Sequence, residues 1–502
     1  MSLRRGALAL IALAVNAVIM AVEMLATRLL FPFYGNTIFI WSSIISIVIA
    51  GLFLGYMAGG MAAERVKNRF GLVFAELLAA GAVVMFIPYL GDAFLFRLER
   101  APALYPPLLG CFIVFGIPAG LMASVPPAIV GIWAEEGGGT ASLASGAVSA
   151  LAAFGSIAGT LLTTFYLIPE FGVRELFSGL GLCLGGAAAL ALWAGRGRQK
   201  TKSLGALAAF ILLSASAARA NAHPRRLLMA DPVFSKDSMY QLVRVFEQTS
   251  GPSLLRVLML DSTHEGAMRM DTREAVFEYT RAYKLFLNAI PKDVSSRVLF
   301  IGGGAYTMPI KVAEGLPRSS VEVAEIDPVV KEVGRRYFGA GSVSNLSTTL
   351  ADGRQALRGR RGVYDGIFID AYQGVMAIPF HLTTREFFTE VKGALRPEGF
   401  VSLNVIGNLV EKEGFFCSTI KTLSSVYPSV RAYGVDGTSA SLQNIIIVAS
   451  NSSEGLPGGD LALKGTGFAP DLAAAQLPCA KGEILTDNHA PVEWLVARYL
   501  GR

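Results

Sequence analysis

Polar side chains close apolar runs at four places in the C-terminal half of the chain. Glu325 and Asp327 end the run Val321–Ile326, Asp352 follows 347–351, Asp370 follows 364–369, and Asn404 lies near the end of 399–405. Carboxylates brought to one edge can accept ribose hydroxyls, hold a cation or take up a proton. A second signal precedes them: Val298–Ile301 runs into Gly302, Gly303 and Gly304, roughly 20 residues ahead of Glu325. Glycines there let backbone approach a ligand at a helix start, and an acid after the next strand can hold a ribose. A strict G-x-G-x-x-G pattern needs glycine at 307, where Thr307 stands. The motif therefore predicts a nucleoside more firmly than a dinucleotide.

The elements that position these residues read as alternating strands and helices. Strands are expected at 298–301, 321–326, 347–351, 364–369 and 399–405, and helices at 307–314, 328–337, 353–358 and 384–395. Such alternation implies a parallel sheet covered on both faces, with ligands beyond the carboxyl ends of its strands. Ahead of it, Tyr240–Thr249 and Leu254–Asp261 flank the turn Ser250-Gly251-Pro252 and predict a β-hairpin, followed by a helical stretch around Arg273–Asn288.

The N-terminal part differs in kind. Of 502 residues 53% are apolar and 16% charged, against about 25% charged in soluble domains, and the first 220 carry the skew. Apolar stretches near 7–32, 37–62, 71–91, 106–133, 141–168 and 174–195 are long enough to cross a bilayer, and 204–219 is shorter. The Gly51/Gly55/Gly59 spacing suits close helix packing, while Glu23 and Glu76 are ionisable groups within these spans. The expected architecture is a multi-pass α-helical membrane domain (1–221), the hairpin and connecting helix (222–295), and an α/β Rossmann-like domain (296–502). Basic residues cluster at Arg4–Arg5, Arg65–Arg69 and Arg196–Lys202, which marks that side as cytoplasmic. With 204–219 read as interfacial or re-entrant, the C-terminal domain is expected in the cytoplasm, on a bacterial inner membrane. The net charge of +6 comes without a basic, aromatic-interleaved patch, so nucleic acid is not an expected partner. Four cysteines and four histidines in no ligand spacing predict neither a metal site nor a disulfide framework.

Taken together, these motifs resemble those of the spermidine synthases, within the class I S-adenosylmethionine methyltransferase-like fold, and more closely those of membrane-fused spermidine-synthase-like proteins of bacteria. Tyr240-Gln241, Leu260-Asp261 (with Ser262 for glycine), Gly302-Gly303-Gly304, Glu325-Ile326-Asp327, Asp352-Gly353 and Asp370 fall on family motifs. His381–Thr384 and Leu485–Glu493 resemble the membrane-fused branch. The resemblance implies S-adenosylmethionine or its decarboxylated form as substrate, without a metal. It implies that Gln241, Gly302, Gly303, Gly304, Glu325, Asp352 and Gly353 hold the nucleoside and that Asp370 is the base. Tyr240, Glu274, Tyr279, Tyr372, Gln373 and Asp487 are implied to lie around the second substrate. As in soluble relatives, the hairpin could form a homodimer contact.

Two departures bear on function. Ala305 stands where the family's glycine turn has an aspartate that grips the aminopropyl amine, and Gln373 where a second aspartate helps bind the diamine. Burying a dication without carboxylates is costly. The expectation is cleavage of the S–Cγ bond with release of 5′-methylthioadenosine, leaning to a lyase in which the substrate's own carboxylate attacks. The alternatives are aminopropyl transfer to an unusual amine, aided by Asp271, Glu274 or Glu278, and a nucleoside-binding sensor or transporter.

Overall fold

The computed structural model describes residues 3–34, 38–98, 106–137, 140–195, 200–222, 231–250, 253–261, 263–372, 376–436, 441–452, 464–469 and 471–500. The chain forms two compact units, Met1–Met229 and Ala230–Arg502.

The first unit is helical: α1 Leu3–Tyr34, α2 Ile38–Arg65, α3 Arg69–Leu98, α4 Pro106–Cys111, α5 Ile117–Ala123, α6 Val125–Gly137, α7 Ala141–Leu162, α8 Ile168–Glu170, α9 Val173–Ala194 and α10 Lys200–Ala222. Single π-turns join α4 to α5 and α7 to α8. Among the described residues six stretches are long and apolar enough to span a membrane, and Ser203–Ala217 within α10 is a shorter one. Their packing follows the small residues. A Cβ on Gly51, Gly55 or Gly59 would come within 2.8, 2.3 or 2.2 Å of the backbone of Gly116, Gly120 or Ser124. Gly155 and Gly159 of α7 lie equally close to the Leu13 and Ala17 carbonyls of α1. Backbones meet where side chains are absent, and dispersion then holds the helices without a hydrophobic driving force. Ser124, between α5 and α6, donates its hydroxyl to the Leu121 carbonyl at 2.8 Å.

The second unit holds two sheets. β1 Phe234–Asp237, β2 Leu242–Ser250, β3 Ser253–Leu260 and β4 Thr263–Arg269 form a four-stranded antiparallel sheet. The expected hairpin is thus its central pair, extended on both edges. A one-turn 3-10 helix, Glu278–Ala282, leads into α11 (Tyr283–Ala289).

The large sheet contains β5 Arg297–Ile301, β6 Ser320–Glu325, β7 Leu346–Leu350, β8 Tyr364–Ile369, β9 Leu395–Gly407, β10 Ser429–Gly434, β11 Gln443–Ser450 and β12 Asp471–Ala473. Its spatial order is β12-β10-β11-β9-β8-β5-β6-β7, with β5 to β9 parallel and β10, β11 and β12 antiparallel. Helices α12 Thr307–Gly315, α13 Pro328–Tyr337, α14 Gly353–Ala356, α15 Arg385–Ala394, α16 Phe415–Ser424 and α17 Val492–Leu500 complete the unit. Buried side chains cover both faces of the sheet, including the ring cluster Phe286, Phe300, Phe368 and Phe400. That explains why the central strands read as continuous apolar runs rather than as alternation.

The expectation of no disulfide is corrected. Cys417 of α16 is bonded to Cys479, 62 residues later. The spacing carried no motif because the pairing is set by the fold, which seats the segment before α17 against α16.

Candidate active site

The strand order reverses beside β5: β6 and β7 lie on one side of it, and β8 returns to the other. Crevices at such reversals, beyond the carboxyl ends of the strands, are where open α/β sheets bind ligands. Here Gly302 and Asp370 meet. Gly302 has φ +96°, and a Cβ on it would fall 2.2 Å from the Asp370 carbonyl oxygen. The Asp370 N–H donates to the Ile301 carbonyl at 2.9 Å, which locks the two strand ends together.

On the β6–β7 side stand the residues expected to hold a nucleoside. Glu325 accepts from the Gly303 N–H and the Asp327 N–H, both at 2.8 Å, so the glycine turn fixes its carboxylate. Burial pushes its pKa up to about 7, against the pull of those two donors. Asp352 caps α14 through the N–H groups of Arg354 and Gln355 at 3.0 and 3.1 Å, and its second oxygen pairs with His381 Nε2 at 2.8 Å. Burial works to raise its pKa, but the His381 contact and the helix N–H groups outweigh it and hold the acid below its usual range. Tyr240, expected around the second substrate, lies instead on this side, within electrostatic reach of Asp327, Glu325 and Asp352, the three charges that add to burial in raising its pKa. Gln241 hydrogen bonds to Asp327, which also accepts from Ser238 and caps α13. Asp327 is fully buried and joins the small sheet to the large one. Gly353 packs against Ile301, where a Cβ would come within 2.3 Å, so its role is close packing. Gly304 has φ +48°, a turn conformation that favours glycine.

On the other side a cavity of about 650 Å³ opens, lined by β4, the segment before α11, and the ends of β8, β9 and β11. Asp370 forms its floor. Asn404 Nδ2 donates to Asp370 Oδ1 at 3.1 Å, and the Tyr279 hydroxyl hydrogen bonds to the same carboxylate. Asn404 is oriented in turn by Asn444, whose Nδ2 donates to its Oδ1 at 3.0 Å. Tyr372 donates to the Asn404 carbonyl at 2.9 Å. Burial, with the charge of Glu265 beside it, pushes the Asp370 pKa up to about 7, while Asn404 and Tyr279 oppose the rise. Asp370, Tyr279 and Tyr372 thus meet at one cavity.

Glu265 is the residue that sequence reasoning missed. It projects from β4 into this cavity and hydrogen bonds to Thr263. Burial raises its pKa despite that bond, and Asp261 adds to the rise. Its neighbour Gly266 packs on Ala305, so close that a Cβ on Gly266 would lie 2.4 Å from the alanine methyl. A carboxylate therefore enters the cavity from β4, next in the chain to the glycine that packs on Ala305. Glu278 and Asp436 also line the cavity, and no lysine or arginine does so among the described residues. No spacing rule marks Glu265, because the stretch 262–272 shows neither strand nor helix periodicity.

Other expectations move. Asp487 does not line the cavity; it makes a two-oxygen pair with Arg354, both contacts at 2.8 Å, and accepts from Thr384. It ties the late 485–493 segment to α14 and α15, a supporting role. Glu274 and Asp271 lie at the end of the small sheet outside the cavity, where the Glu274 carbonyl accepts from the Arg269 N–H and Asp271 accepts from Ser253. Gln373 and Ser262 fall outside the described residues. Among the described residues no group of three or more His, Cys, Asp or Glu side chains is placed to hold a metal ion.

Residues 282–454 match the family described as "Spermine/spermidine synthase domain". A polyamine aminopropyltransferase of Vibrio vulnificus is 32% identical over 179 residues, 34% of this chain and 58% of that protein. A polyamine aminopropyltransferase of Thermotoga petrophila is 28% identical over 211 residues, 40% of this chain and 66% of that one. The match thus spans little more than half the length of the Vibrio relative. Among solved structures, a probable spermidine synthase from Corynebacterium glutamicum superposes with TM-score 0.44 at 18% identity, covering 52% of this chain and 98% of that one.

Proposed function

We propose that this chain, whose residues 282–454 match the spermine/spermidine synthase domain, transfers an aminopropyl group from decarboxylated S-adenosylmethionine to a cationic amine. The observation that carries the reading is the acidic cavity beside the strand reversal: Asp370 and Glu265 line it together, with no lysine or arginine among its described lining residues. Buried carboxylates without a cation are costly, and an ammonium group would compensate both. The same pair would repel a substrate that attacks with its own carboxylate. This argues against self-cleavage, whose premise was that acceptor carboxylates are lacking.

The chemistry is a displacement at carbon. The acceptor enters as an ammonium ion and loses a proton to Asp370. The freed nitrogen lone pair attacks the methylene next to the sulfonium sulfur, the C–S bond breaks, and its electron pair stays on sulfur as the neutral thioether of 5′-methylthioadenosine. A base poised near neutral pH suits that proton transfer. Glu325 and Asp352 hold the nucleoside, and Gly302 brings the donor's strand end against that of the base. Alignment of nitrogen, carbon and sulfur supplies much of the rate.

Self-cleavage of S-adenosylmethionine is the second reading, favoured only by Ala305, which puts no charge where a carboxylate would repel a donor that retains its own. The separating experiment supplies purified full-length protein with each donor, with and without a diamine. Methylthioadenosine that requires both the decarboxylated donor and the amine supports transfer; methylthioadenosine from S-adenosylmethionine alone supports the lyase.

A further inference from the structure

The sequence places the C-terminal unit in the cytoplasm only if the 204–219 stretch fails to cross the membrane. The apolar part of the helix there, Ser203–Ala217, is short, but the helix does not lie as an interfacial helix would. α10 has 23 residues, of which Ser203–Ala217 are apolar, about 22 Å at 1.5 Å per residue against roughly 30 Å of hydrocarbon; a bilayer accommodates so short a span by thinning locally. It packs along α3 and α9. Phe210 sits in a notch between Gly81 and Gly185, where an added Cβ would come within 3.1 and 2.3 Å of its ring. Ser214 and Ala217 share the buried face, and the Ser214 hydroxyl is satisfied by the Phe210 carbonyl at 2.7 Å. The outer face carries Leu204, Ile211 and Leu212, all more than half exposed. An interfacial helix turns a polar face outward; an apolar outer face suits lipid.

The sides of the membrane follow from the loops. Arg65, Lys67 and Arg69 join α2 to α3, and Arg196, Arg198, Lys200 and Lys202 lie between α9 and the start of α10. Arg69 pairs with Glu135 at the end of α6, which puts that end on the same face. Alternating crossings by α3, α4–α6, α7–α8 and α9 return the chain to this basic face before α10 begins. Basic loops stay in the cytoplasm, so α10 leaves it. An independent observation agrees: the C-terminal unit holds the Cys417–Cys479 disulfide, whereas Cys111 and Cys183 of the helical unit are free. Disulfides persist outside the reducing cytoplasm.

We infer that the C-terminal unit, with its acidic cavity, faces the extracytoplasmic side of the membrane. The inference stands apart from the reaction assigned to the cavity. Its test uses the full chain in sealed spheroplasts of a Gram-negative host. External protease is expected to remove about nine-tenths of the intact protein while a cytoplasmic marker survives. In a Cys111→Ser/Cys183→Ser variant whose thiols are trapped at lysis, alkylation of Cys417 and Cys479 is expected only after reduction. Protection of the C-terminal unit until the membrane is permeabilised would overturn the inference, as would thiols that alkylate without reductant.

Discussion

Replacing Asp370 by Asn should separate chemistry from binding and from folding in a single variant. The amide keeps the size of the side chain and can still bond to Asn404 and Tyr279, but it cannot accept a proton from the amine. General-base catalysis contributes about 10²- to 10⁴-fold, roughly 3–5 kcal/mol of barrier, so kcat should fall by that factor. Donor affinity should stay within about threefold, because the nucleoside contacts lie on β6 and β7. Stability moves the other way. The Asp370 pKa is raised from 3.8 to about 7, chiefly by burial, so the folded state binds the proton more tightly than the unfolded one. The ionised carboxylate therefore opposes folding, with a penalty that grows between about pH 4 and pH 7 and is constant above. At about 1.4 kcal/mol per pH unit, the upper bound is about 4 kcal/mol. Asp370→Asn should then melt at higher temperature than the wild type at pH 8, with the difference vanishing near pH 4. Stopped assays with saturating donor and amine read kcat, isothermal titration reads donor affinity, and melting at pH 4 and pH 8 reads stability. Wild-type turnover in the variant, or loss of donor binding with turnover, would refute the role of Asp370 as base.

Further consequences are equally direct. Glu265→Gln should raise KM for the amine at least about tenfold and leave donor affinity unchanged, since a charged hydrogen bond contributes about 1.5–3 kcal/mol; equal loss of donor affinity would remove Glu265 from the acceptor side. Glu325→Gln should weaken donor binding by about 10- to 100-fold on the same scale, and wild-type donor affinity should fall as pH drops through about 7, where Glu325 takes up its proton. Gly302→Ala should lower stability and turnover together, because its φ of +96° disfavours a side chain and the Cβ would meet the Asp370 carbonyl; a variant with unchanged melting and turnover would contradict that close approach. Gly185→Leu should displace Phe210 and loosen α10, read as increased proteolysis at the start of α10 in detergent.

Much of the catalytic fold is legible from sequence because it is local. The helix Pro328–Tyr337 and the strand Tyr364–Ile369 fall at the expected residues, since Asp327 caps the first and apolar residues fill the second. The glycine turn and the strand-end acids are visible for the same reason: each follows a run whose periodicity marks it. What escapes is set by distant partners. β1 and β4 take their strand form from pairing with a recognisable hairpin, and β12 pairs only with β10 among the described residues. Glu265 is an unremarkable acid until β4 turns it into the cavity beside Asp370. Asp487 sits in a strong local motif, yet its partner Arg354 is 133 residues away and makes it structural. The α10 segment reads as too short for a span because only its middle is apolar, whereas its full length is held by packing on α3 and α9.

The central claim is that the acidic cavity receives an amine that attacks a decarboxylated sulfonium donor. Mass identification of products from purified full-length protein tests it most directly. Methylthioadenosine together with an aminopropylated amine, formed only when the decarboxylated donor and the amine are both present, is the predicted result. Methylthioadenosine and a lactone from S-adenosylmethionine alone, or S-adenosylhomocysteine as the nucleoside product, would contradict it.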